Sequence, residues 1–156
     1  MAYPELTRNI TDRARNAKRA AEEVKSYARD LIVALSTEFA SEDAQAFGVK
    51  LVHSEDGQSA QVSSPFGEAR AKFSMFLNEL GVYGRYSFER KLTDAQDRDI
   101  WKEVYFLDIR EDGRILSERA DEESARFNVV QRRRDQYFTL ALAITAALGR
   151  NPSDEI

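Results

Sequence analysis

Cysteine is absent from this chain of 156 residues, so neither a disulfide framework nor thiolate chemistry is available to it. Histidine occurs once, at His53, which excludes a metal site made of several histidines from one chain. Proline occurs three times and glycine seven times, and neither falls between Pro4 and Gly48. That gap leaves room for one long uninterrupted helix. No apolar run approaches the ~20 residues of a membrane span. Polar residues from Glu5 onward break up any signal-peptide core. The phosphate-binding and dinucleotide patterns GxxxxGK(S/T) and GxGxxG are missing, as is the GxSxG nucleophile elbow. These absences predict a cytoplasmic protein that is not an enzyme and holds no metal and no cofactor.

What is present first is a seam. From about residue 4 to residue 40, small and apolar residues recur at Ile10, Ala14, Ala17, Ala21, Val24, Ala28, Leu31 and Leu35. The alternating spacing of four and three keeps one helical stripe facing a partner. A helix of that span is a rod of roughly 54 Å at ~1.5 Å per residue. A compact domain of this length has a diameter of only roughly 40 Å. Part of the seam therefore needs a second surface, and alanines along it permit close approach. The sequence predicts a homodimer through Ile10, Ala14, Ala17, Ala21, Val24, Ala28 and Leu31, with the first half, around Ile10 to Ala21, as the overhang. The competing arrangement packs the whole seam on the chain's own sheet and C-terminal helix.

Net charge is −4, unevenly spread. Residues 1–30 carry +2 and residues 124–150 carry +4, whereas 38–68 and 89–123 carry −5 each. Basic termini flanking an acidic middle satisfy one another in the simplest reading. A nucleic-acid interface built on Arg8, Arg13, Arg15, Lys18, Arg19, Arg132 and Arg133 is the alternative. The acidic total and the acids interspersed among these bases argue against it.

After Phe39, Ser41 is placed to cap a short turn with Glu42 and Asp43 behind it, and Gly48 to end it. The period then changes to two. Val49 and Leu51 share a face, Asp56-Gly57 signals a hairpin, and Ser59–Ser63 returns. Residues 66–80 fit either a helix capped by Ser64 or a strand pointing Ala69, Ala71, Phe73, Met75 and Leu77 one way. Strand length, matched to 82–91 and 100–109, favours the sheet. Gly81 reads as a turn and Gly84 as a bulge. Residues 100–110 read as a central strand, with Trp101, Tyr105, Leu107 and Ile109 on one face and Ile100, Val104 and Phe106 on the other. Glu111-Asp112-Gly113 turns into a strand at 114–117. A helix from about Asp121 to Leu148 follows, with a second seam at Phe127, Val130, Arg134, Tyr137, Ala141, Ile144 and Leu148, widened by Phe138 and Leu142. The expected architecture is a single α+β domain: a mainly antiparallel sheet of five or six strands over about 48–118, with a long N-terminal helix and a long C-terminal helix over about 121–148.

Functional residues are sparse. His53 ends a strand and reads as structural. Asp97, Asp99, Glu103 and Asp108 have no ligand spacing. Arg134 sits on an apolar seam, where a charge is costly unless paired, so an ion pair or ligand is one reading and a snorkelling side chain the other. Tyr83, Tyr86, Trp101 and Tyr105 would line a small-ligand cup between the sheet and the C-terminal helix. The leading expectation is a non-enzymatic protein–protein interaction protein, of adaptor or chaperone type, that self-associates through its long helices. The ligand cup and the nucleic-acid binder are the alternatives.

Overall fold

The computed structural model describes residues 4–78, 81–117, 126–128 and 134–151, and within these the side chains of 4–10, 13, 117, 126–128 and 134 lie outside the described set. The N-terminal seam forms α1, Pro4–Phe39, one helix of 36 residues. Ser41 then caps α2, Glu42–Gln45, its side chain accepting the Ala44 N–H at 3.3 Å. Gly48, at φ +71, turns the chain into the sheet.

Seven antiparallel strands follow in sequence order: β1 Lys50–His53, β2 Ser59–Ser64, β3 Gly67–Asn78, β4 Gly81–Thr93, β5 Asp99–Arg110, β6 Arg114–Ser117 and β7 Arg126–Asn128. The last element is α3, Arg134–Gly149. The fold is α+β, as the period changes imply. Residues 67–78 are a strand, with Ala69 and Ala71 buried and Phe73 and Met75 half-buried on the helix side. A strand of that length finds a full-length partner in β4, from Ala69↔Arg90 to Asn78↔Gly81.

α1 and α3 both pack on one face of the sheet. Val24, Ala28, Leu31, Ile32, Leu35 and Phe39 of α1 meet Tyr86, Phe88, Leu107 and Ile109 there, with Tyr137, Leu140, Ala141, Ile144 and Leu148 of α3. Three contacts fix how α1 crosses. The Ser36 hydroxyl donates to the Leu51 carbonyl at 3.0 Å, and the backbone of Arg29 lies against Gly57 while Val24 lies against Gly84. Through the strand registers these points fall beside Ala69, Phe73 and Met75 of β3 in turn. Followed back toward its start, α1 therefore heads for the β3–β4 turn and off the end of the sheet.

Three expectations are corrected. The C-terminal helix is short. It starts at Arg134, and Phe127 lies in β7 opposite Ile115, because one apolar residue satisfies a strand as readily as a heptad. The expected start at Asp121 and the seam position Val130 lie outside the described residues. The bulge is not at Gly84 but in β5, where Phe88 faces Tyr105 and Glu89 faces Glu103, so Val104 is the extra residue. Arg150 donates to the Val104 carbonyl at 2.6 Å and holds the bulge against the end of α3. The extra residue flips the alternation, so Trp101 does not share a face with Tyr105, Leu107 and Ile109. It stands on the helix-free face under the Arg70 guanidinium, 4.0 Å from the ring centre. Val104 and Leu107 are buried as expected, whereas Trp101 and Phe106 are only half-buried. Trp101→Ala should accordingly lower the unfolding free energy measured with urea by clearly less than the ~3–5 kcal/mol of a fully buried aromatic.

Candidate functional site

The N-terminal seam divides in two. Val24, Ala28, Leu31 and Leu35 are at most 1% exposed and belong to the core. Ala17 and Ala21 are half-buried at its margin and Ala14 is exposed, as are Thr11, Asp12, Arg15, Asn16, Lys18 and Arg19. The side chain of Ile10 lies outside the described set. The helix leaves the sheet near Ala17, and the seam continues past that point with no described element facing it. Of the expected overhang from Ile10 to Ala21, Ala14 is exposed while Ala17 and Ala21 still pack on the margin of the core, and the second half packs on its own sheet.

The four aromatics assigned to a cup are split between the two faces. Tyr86 and Tyr105 are buried under the helices, Tyr105 tilted against Phe88 at 6.3 Å between ring centres. Burial first, then the charge of Asp56, pushes the Tyr86 hydroxyl well above its usual range. That hydroxyl donates to the Gly57 carbonyl and ties the β1–β2 turn to the core. Tyr83 and Trp101 stand on the opposite face. No single cup contains all four. Arg134 begins α3, and its side chain is outside the described set.

The helix-free face of the sheet is a lattice of arginines between rings and carboxylates. Arg85 reaches Asp108 through two hydrogen bonds, at 2.7 and 3.0 Å, and lies 4.0 Å over the Phe106 ring. The bond to Asp108 raises its pKa further. Arg70 pairs with Glu89 at 2.8 Å while covering Trp101. Lys91 lies between Glu68 and Asp99, at 3.3 and 3.5 Å, and its pKa is raised by Glu68 first. Arg110 covers Tyr83, which stacks on Phe76 at 5.4 Å. Cation–π and ion-pair contacts of this kind hold a sheet surface rigid and leave little uncompensated positive charge for an anionic partner.

His53 is half-buried at the end of β1, its Nδ1 2.8 Å from the Ser54 carbonyl. An open groove of about 340 Å³ runs between it and the end of α1, lined by Ser36, Phe39, Leu51 and Val52. In the adjoining turn, hydrogen bonds from Ser54 and then from the Gln58 N–H hold the Asp56 carboxyl below its usual range. Among the described residues no group of three or more His, Asp or Glu side chains is placed to hold a metal ion, and no helix is long and apolar enough to cross a membrane. Comparison with protein families, with curated proteins and with solved structures found no match.

Sequence reasoning missed Phe76 and Leu77, which are 46% and 54% exposed. The signal was a length mismatch. β2 pairs only with Gly67–Lys72 of the longer β3, whose remaining length pairs with β4.

Proposed function

We propose that this protein is a non-enzymatic interaction protein, of adaptor or chaperone type, that forms a homodimer through the projecting half of α1. The observation that carries the reading is the seam of α1. It is buried from Val24 to Leu35, packs half-buried on the margin of the core at Ala21 and Ala17, and is exposed at Ala14. Alanine at these positions lets a second helix approach to an interaxial distance at the short end of ~8–10 Å. An antiparallel pairing keeps the basic segments 8–19 of two copies apart. The arginine lattice on the free sheet face supports a protein rather than a nucleic acid as partner, since its cations already have carboxylate or ring partners. The charged, cysteine-free composition supports a cytoplasmic location.

Sedimentation equilibrium at tens of micromolar tests this reading and should give the dimer mass. Ala17→Glu with Ala21→Glu should weaken the dimer about 100-fold or more, the scale expected for charges forced into an apolar contact. Ala14→Glu, at an exposed position, should weaken it without affecting the melting temperature. A monomer mass for the unaltered chain would sink the proposal.

A further inference from the structure

We infer that the row Phe76–Tyr83–Arg110, on the helix-free face of the sheet, docks a segment of a partner protein in which carboxylates stand beside an aromatic side chain. The inference rests on the reading of this chain as an interaction protein and is independent of its helix contact.

The row is built by register. Phe76 of β3 lies opposite Tyr83 of β4, and Tyr83 lies opposite Arg110 of β5. The row therefore spans two strand spacings, ~10 Å, the length of about three residues of extended chain. Phe76 stacks on Tyr83 with 5.4 Å between ring centres and keeps 46% of its surface exposed. The Arg110 guanidinium covers the same Tyr83 ring, 5.4 Å from its centre. A cation–π contact uses the face of the ring and none of the guanidinium N–H donors. Among the described residues the Arg110 guanidinium makes no hydrogen bond or ion pair, and the Tyr83 hydroxyl makes no hydrogen bond.

The charge around the row selects the partner. Each carboxylate next to Arg110 along the chain or on the face is already engaged. Asp108 holds Arg85 through both oxygens, Asp112 pairs with Arg114 at 3.3 Å, and Glu111 accepts the Val82 N–H at 2.9 Å. Arg110 is left as a cation with free donors, set on a ring that is itself stacked. A carboxylate is the planar acceptor that fits such a fork. An aromatic side chain beside that carboxylate would cover Phe76. Asp108 and Glu103 share the face, which opposes a continuous phosphate backbone. The face is open, so a small molecule would bury too little of itself there, whereas a peptide can run on past the row.

The test titrates the full chain with an acetylated, amidated hexapeptide carrying two glutamates beside one phenylalanine, followed by NMR of the backbone amides. The signals of Phe76, Tyr83 and Arg110 should shift, with a dissociation constant below about 1 mM that rises with salt. Arg110→Gln should weaken binding about tenfold or more, and Arg110→Lys should restore part of the loss. Phe76→Ser should weaken it about tenfold and serves if the Arg110 variants misfold. Lys72→Gln removes an exposed cation further along β3 on the same face and should leave binding unchanged. Equal losses in Lys72→Gln and Arg110→Gln would mean diffuse attraction and overturn the inference. Absence of any shift at about 1 mM peptide overturns it too, as does tighter binding of oligothymidylate or of the same peptide with lysines in place of glutamates. A dimer that ignores the acidic peptide removes this site and keeps the helix reading. A monomer that binds it keeps the site and removes the dimer.

Discussion

Tyr86→Ala should be the most damaging truncation on β4, lowering stability by about 3–5 kcal/mol. The side chain is fully buried, between Phe73 at 5.2 Å and the floor of the helix layer. Its hydroxyl is also the donor to the Gly57 carbonyl, which brings the β1–β2 turn down against Arg29 of α1. Removing it opens a cavity and releases the turn together. Tyr86→Phe separates the two effects. It keeps the ring and leaves the Gly57 carbonyl without its donor, so it should cost about 1–3 kcal/mol. Urea unfolding of the three proteins measures both. Equal midpoints for the unaltered chain and Tyr86→Phe would mean that the hydroxyl contributes nothing.

Gly84→Ala is the second large effect, and it acts by crowding. A Cβ at this position would sit 2.2 and 2.4 Å from ring atoms of Phe73 and 2.9 Å from Cγ1 of Val24. Val24 belongs to the buried face of α1, so the helix cannot yield there without lifting off the core. A cost of about 1–3 kcal/mol or more is expected. Phe73→Leu should recover part of it in the double variant, because the crowding atoms belong to the ring. A Gly84→Ala protein with an unchanged urea midpoint would show that α1 does not lie against β4 as described.

Much of this architecture was readable from period and punctuation. The three-four spacing over Ile10–Leu35, with no glycine or proline, specified α1, and the Asp-Gly pairs at 56–57 and 112–113 specified two turns. The places that misled are physical in kind. A single extra residue, Val104, inverted the faces of half of β5 and moved Trp101 to the other side of the sheet, and no residue type announces a bulge of that sort. Phe127 fitted a heptad and a strand alike, and only the pairing with Ile115 distinguishes them. For the candidate site, helix length alone did not show that Ala17 and Ala21 still reach the margin of the core. That β3 outruns β2 required comparing the lengths of two strands, and alternation says which face Leu77 takes, not whether anything covers it.

The most direct measurement of the central claim uses the absence of cysteine. Asn16→Cys places one spin label per chain on the exposed part of α1, beside the seam and not on it. Two antiparallel helices paired across Ala14, Ala17 and Ala21 should give one intermolecular distance under roughly 25 Å, from an interaxial separation of ~8–10 Å plus the reach of the labels. Loss of that distance in the Ala17→Glu, Ala21→Glu background should accompany the shift to monomer. No intermolecular coupling at tens of micromolar, or a dimer whose labels lie far outside that range, would contradict self-association through α1.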